Sequence, residues 1–188
     1  MNYLGLNLQT LTEKGALHTA REITQQPELW LKVLEGVHQN KFSIDSFFKK
    51  ALSNTKRIIL TGAGTSAFIG LSLSGIFQRK TKTVTEAIST TDLVSHPKNY
   101  LHPDIPLLMI SFARSGNSPE SVAAVALADT LCNTCYHLII TCNSEGGLAK
   151  YGNTKSEHTL VFNLPNEAND QSLAMTSRYT GMLLAGIG

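Results

Sequence analysis

The residues best suited to chemistry are hydroxyls and one arginine, gathered in two short turns. Thr61-Gly62-Ala63-Gly64-Thr65-Ser66 and Ser111-Phe112-Ala113-Arg114-Ser115-Gly116-Asn117-Ser118 each join an apolar run to a helix-like run. Thr65, Ser66, Ser115 and Ser118 carry hydroxyls that rotate to donate to an oxyanion, and the glycines beside them allow close backbone approach. Arg114 adds positive charge. The chemistry open to such a set is the capture of an anion, above all a phosphate.

For both turns to serve one ligand, the flanking elements must bring them to the same end of a sheet. Arg57-Ile58-Ile59-Leu60 and Pro106-Leu107-Leu108-Met109-Ile110 are short, apolar and uninterrupted, as parallel strands covered on both faces are. Each turn then sits at a strand's carboxyl end and opens a helix, whose first amides and dipole present partial positive charge there. Strands are expected near 57–61, 82–88, 106–112, 136–142 and 158–164, and helices near 66–79, 90–95, 118–132 and 146–151. Alternation of this kind predicts an α/β fold with a parallel sheet. In a five-stranded sheet of order 2-1-3-4-5 the loops after strands one and three face each other across the topological switch point, where ligands bind.

Residues 12–52 read as helical, with Leu29, Trp30, Val33, Leu34 and Val37 at helical spacing, then Ile44, Phe47, Phe48, Ala51 and Leu52. Asn40 to Ser43 is the expected break, with Ser43 as N-cap. Pro97 to Pro106 reads as a loop. The stretch Ser172–Gly188 reads as a helix whose apolar face, from Leu173 to Ile187, needs cover from a partner or a second half of the protein.

With 188 residues, 42% of them hydrophobic, the chain can build one full core. A net charge of +2 with scattered lysines and arginines predicts neither a nucleic-acid face nor a membrane-binding stripe. No apolar stretch reaches the roughly 18 residues of a membrane span, and a signal peptide is not evident, so a cytoplasmic protein is expected. Three cysteines do not suggest a secreted disulfide framework. Cys132-Asn133-Thr134-Cys135 matches Cys-x-x-Cys, but lies between a helix end and a strand start, whereas a thioredoxin-like pair opens a helix. Cys142 reads as a small buried side chain, and His96 and His102 as exposed. The histidines form neither an i, i+4 pair nor a cluster with cysteine, so no metal site is expected.

The phosphate reading has rivals. Gly62-Ala63-Gly64-Thr65-Ser66-Ala67 fits the dinucleotide fingerprint Gly-x-Gly-x-x-Gly/Ala, with Glu86 where a ribose-binding acid would stand. That alternative leaves the Ser-rich second turn idle. Mere helix capping by Ser66 and Ser118 would need only one hydroxyl per helix. A P-loop is excluded because no Gly-Lys-Ser/Thr follows either turn, and no Gly-x-Ser-x-Gly elbow is present. Glu120, early in the helix after the third strand, suits either the helix dipole or the pocket.

With these turns in view, the chain resembles the sugar isomerase (SIS) domain proteins, whose phosphosugar pocket combines a Gly-x-Gly-Thr-Ser turn with a Ser-Gly-x-Ser/Thr turn. The run Arg57 to Gly70, Thr90-Thr91-Asp92-Leu93-Val94, Ser115 to Val125, Ala174-Met175-Thr176-Ser177 and Gln25 to Trp30 are similar to the AgaS group, the tagatose-6-phosphate ketose/aldose isomerases. The likeness spans about residues 20–185. It implies a three-layer SIS-type domain at 53–188 behind an amino-terminal helical extension at 1–52. Thr65, Ser66, Arg114, Ser115 and Ser118 would hold the substrate phosphate, with no metal and no cofactor.

The implied substrates are tagatose 6-phosphate or galactosamine 6-phosphate, undergoing isomerisation, with or without deamination. The implied partners are the phosphosugar and a second SIS domain or further copies of the chain. In proteins resembling this one, the acid and base residues come from a second SIS domain, on a Glu-x-x-x-Lys-x-x-Glu helix and a His-Gly-Pro segment that this sequence lacks. Only Glu167 and Asp170 stand as local catalytic candidates. A non-catalytic phosphosugar-sensing module is the alternative.

Overall fold

The five strand-like runs from Arg57 onward form one parallel sheet. The computed structural model describes residues 2–188. In chain order, β1 (Asn2–Tyr3) and β2 (Leu6–Asn7) form a small hairpin, followed by helices α1 (Leu8–Glu13), α2 (Leu17–Gln39) and α3 (Lys41–Asn54). Then come β3 (Arg57–Gly62), α4 (Thr65–Thr81), β4 (Val84–Ala87), α5 (Thr90–Ser95), α6 (Pro97–Tyr100), β5 (Leu107–Ala113) and α7 (Pro119–Leu131). The chain continues through β6 (Cys135–Thr141), α8 (Gly147–Thr154), β7 (Thr159–Asn163), a 3-10 turn at Asn166–Ala168 and α9 (Thr176–Ile187).

The sheet order is β4-β3-β5-β6-β7, all pairs parallel, which is the expected 2-1-3-4-5. Alternate strand residues feed two cores. Ile58, Leu60, Leu108, Ile110 and Phe112 pack with Leu29 and Val33 of α2, Ile69 and Leu73 of α4 and Met182 of α9. Ile59, Leu107, Met109 and Ile139 pack on the other face with Leu93 of α5, Ala124, Val125 and Ala128 of α7 and Leu148 of α8. Burying each such aliphatic side chain contributes about 1.5–3 kcal/mol, and helix, sheet and helix form three layers. The amino-terminal helices share the first of these cores, since Leu29, Val33 and Ala51 belong to it.

Two local expectations need correction. The break falls at Asn40, within the expected stretch, but Asn40 and not Ser43 is the N-cap of α3, because its backbone N–H (3.1 Å) and its side-chain amide (2.9 Å) both donate to the Gly36 carbonyl. That closes α2 and lets α3 begin at Lys41, leaving Ser43 inside it. The stretch after His96 is not wholly loop: Pro97, with its φ preset for the first helical position, starts the short α6. His102 is half-buried and His96 exposed.

Candidate phosphate-binding site

At the carboxyl ends of β3 and β5 lies a cavity of about 170 Å³, lined by Ala63, Ser66, Phe112, Ala113, Arg114, Ser115, Gly116, Ser118, Ser121, Met175 and Arg178. Of the five residues expected to bind phosphate, four line it together. Thr65 is exposed at the start of α4 and lies outside the lining.

The first turn depends on Gly62, where a Cβ would stand 2.6 Å from the Ser66 Cβ and 2.8 Å from its backbone carbon. Only a glycine lets α4 start so close to the end of β3. Ser66 is buried (3% exposed) and its hydroxyl has no hydrogen bond among the described residues, which leaves it to the cavity. It is not the cap of α4, whose N-cap is Gly64.

The second turn is stapled to the loop after β6. Asn143 Nδ2 donates to the Ser115 carbonyl (3.0 Å), Leu148 N–H to the Gly116 carbonyl (3.0 Å) and Gly147 N–H to Asn117 Oδ1 (2.7 Å). Gly146 permits this, since a Cβ there would sit 2.3 Å from the Ser115 carbonyl oxygen. Ser115 Oγ accepts from Asn117 N–H (3.2 Å), so its own proton stays available. Ser118 does cap α7, accepting from Ser121 N–H at 3.4 Å, and its hydroxyl also meets the Ser121 hydroxyl at 2.7 Å. Ser121, absent from the expected set, therefore lines the cavity as the second member of a hydroxyl pair. Its i, i+3 spacing from Ser118 was the available signal.

Met175 and Arg178 arrive from the far end of the chain. Arg114 Nη1 lies 3.6 Å from Met175 Sδ. The segment carrying them is fastened to α2: buried Glu22 accepts from Gln171 N–H (2.6 Å) and Ser172 N–H (3.1 Å) through Oε1, and its carbonyl accepts from Ser177 Oγ (2.9 Å). Arg178 is 8% exposed.

The two nominated carboxylates point elsewhere. Glu167 pairs with Lys32 on the surface, which lowers its pKa. Asp170 is buried at the start of α9, accepting from Ser177 N–H (3.2 Å) and Arg178 N–H (2.7 Å). Burial lifts its carboxyl above the ordinary value against the pull of those donors. Neither lines the cavity, and neither does Glu120, in the first turn of α7. Glu86, the ribose candidate of the dinucleotide alternative, is bound to Arg57 Nε at 2.6 Å. Burial raises the Cys132 and Cys135 thiols, which disfavours the thiolate that redox use of Cys-x-x-Cys requires, and pushes Cys142 up to about 12. No metal-holding group of histidine, cysteine and acid side chains occurs among the described residues, and no described helix is long and apolar enough to cross a membrane.

The SIS domain family model matches residues 51–186, which span the parallel sheet and both turns. The chain belongs to that family. Over 184 residues it is 52% identical to the D-galactosamine-6-phosphate deaminase AgaS of Shewanella sp. (strain ANA-3), covering 96% of this chain and 47% of that protein. It is 46% identical to the D-galactosamine-6-phosphate deaminase AgaS of Escherichia coli, covering 88% and 43%. The crystal structure of the tagatose-6-phosphate ketose/aldose isomerase from Escherichia coli superposes with a TM-score of 0.85 at 43% identity, covering 89% of this chain and 46% of that one. A Clostridium novyi NT structure reaches 0.93 at 43% identity, covering 98% and 47%. The chain spans about half the length of the relatives it matches.

Proposed function

We propose that this chain is the phosphosugar-anchoring SIS module of a ketose/aldose isomerase or amino-sugar-phosphate deaminase, with galactosamine 6-phosphate or tagatose 6-phosphate as the substrate held. One observation carries the reading: Ser66 from the first turn and Ser115 and Ser118 from the second converge on one cavity that also receives two arginines. Helix amino ends, rotatable hydroxyls and guanidiniums together suit a phosphate ester. Family membership and the names of the relatives supply the sugar.

Isomerisation moves a proton between adjacent carbons through an enediol and needs a base and an acid near the sugar. The cavity lining holds no histidine, lysine or carboxylate. On this reading the module supplies anchoring and orientation, and the proton-transfer groups come from a second SIS domain. The same lack of acid and base groups is what a non-catalytic phosphosugar sensor would show. A DNA-binding partner module should be basic, and residues 1–52 are not, which favours the enzyme.

The test is a thermal-shift and calorimetric titration of the chain with galactosamine 6-phosphate, tagatose 6-phosphate, inorganic phosphate and NAD, repeated with Ser115→Ala. Stabilisation by both sugar phosphates, weakened by the substitution, is expected. Stabilisation by NAD alone would overturn the reading, and robust turnover by the isolated chain would refute the external origin of the acid and base.

A further inference from the structure

Arg178 is a buried cation with no carboxylate in contact with its guanidinium among the described residues. Its Nε is sealed from solvent and has no hydrogen-bond partner, and no carboxylate lies within ion-pair distance of its guanidinium among the described residues. The acid nearest in sequence, Asp170, gives one oxygen to Ser177 N–H and the other to Arg178's own N–H. The backbone of Arg178 is thus held firmly while its side chain lines the cavity. The other charged group lining the cavity, Arg114, repels it; Asp170 attracts it only from beyond ion-pair distance, and the remaining titratable neighbour, Cys142, is a buried thiol. Two guanidiniums facing one small cavity with no acid between them are unfavourable until an anion enters, and a single negative charge balances only one of them.

We infer that Arg178 is the buried half of a two-arginine clamp, completed by Arg114, that selects the dianionic form of a phosphomonoester. The inference rests on the phosphosugar reading above and adds a charge-state preference to it. Guanidinium forks match phosphate oxygens bidentately, which an ammonium does not. A neutral sugar or a sugar carboxylate would leave at least one of the two arginines uncompensated and so bind more weakly.

The experiment is calorimetric titration of the chain with galactosamine 6-phosphate at pH 5 and pH 7.5, alongside thermal unfolding without ligand. Because the second ionisation of a phosphate monoester lies near pH 6, dianion selection makes wild-type binding about tenfold weaker at pH 5. Arg178→Gln is expected to weaken binding at pH 7.5 by 30-fold or more and to flatten that pH dependence. Arg178→Lys should recover part of the affinity. Without ligand, Arg178→Gln should unfold at the same temperature as wild type or higher, since an unpaired desolvated charge has been removed. A lower midpoint with unchanged affinity would make Arg178 structural and overturn the clamp. So would wild-type affinity in Arg178→Gln alongside weak binding by Ser115→Ala, and in that case the phosphosugar reading survives. If the wild-type chain binds no phosphate ester at all, that reading falls and the clamp falls with it.

Discussion

The two ends of the sheet handle charge in opposite ways. At the amino ends of β6 and β7, Asp129 of α7 accepts from His137 Nε2 (2.9 Å), Tyr151 OH (2.7 Å) and Lys155 Nζ (2.8 Å). A carboxylate can only accept, so the imidazole carries its proton on Nε2, and Nδ1 is left without a partner inside the core. Cationic and acidic groups there answer one another and tie α7, β6 and α8 together. At the carboxyl ends of β3 and β5, Arg114 and Arg178 face a cavity with no acid in its lining. A larger cavity, of about 480 Å³, lies at the paired end, yet the half-buried Asp129 in its lining is already paired. On the proposed reading, unpaired charge, more than cavity size, marks the ligand-binding end.

The sharpest way to break this contrast is Asp129→Ala. It leaves His137, Tyr151 and Lys155 without their common acceptor and should cost about 3 kcal/mol of stability, while phosphate binding by the folded protein stays unchanged. Denaturant unfolding and calorimetry check the two halves separately; lost binding in a fully folded variant would mean the ends are coupled. Acid titration sharpens the same point. Burial alone would raise the Asp129 pKa, but the hydrogen bonds from His137, Lys155 and Tyr151 outweigh it and hold the carboxyl far below the ordinary value. A depressed folded pKa stabilises above the unfolded value, near 3.9, and that stability is lost as pH falls below it. Wild-type stability should therefore decline steeply from about pH 5 downward, and Asp129→Asn should flatten that slope.

Gly62→Ala comes next in size and acts at the other end. The added Cβ meets Ser66 at 2.6 Å, with backbone atoms almost as near, so the amino end of α4 must shift. Overpacking of this kind costs about 1–3 kcal/mol. Because Ser66 moves with the helix, sugar-phosphate affinity should fall by tenfold or more, which titration of the folded variant would read. Retained affinity would show that Ser66 does not need its present position.

The parts of the site that were legible in the sequence are local ones. Gly62, Gly64, Ser115 and Gly116 stand immediately after uninterrupted apolar strands, so strand ends, turns and sheet order follow from chain-local signals. Arg178, Met175 and Glu22 carried no such signal. Glu22 reaches Gln171 across 149 positions, and only the packing of α9 on α2 brings that segment to the turns. The hairpin of β1 and β2 was equally silent, because two-residue strands are too short to display alternation. Asp170 and Glu167 were placed correctly beyond the last strand, but position along the chain does not say where a side chain points.

The smallest expected effect tests that last point. Glu167 was a candidate acid on sequence grounds, yet its carboxylate meets Lys32 with both side chains about half exposed (43% and 51%). Such a pair is screened by water and contributes little. Glu167→Gln should leave the unfolding midpoint and the affinity for galactosamine 6-phosphate where they are within error. The comparison sharpens if Asp170→Asn is measured beside it. That substitution weakens the acceptor for Ser177 and Arg178 N–H, so it should loosen the amino end of α9 and reduce affinity through Arg178. If instead Glu167→Gln abolished turnover in an active assembly containing this chain while binding persisted, the carboxylate would have to leave Lys32 and reach the sugar. The division between a paired surface and an unpaired cavity would then fail at its nearest edge.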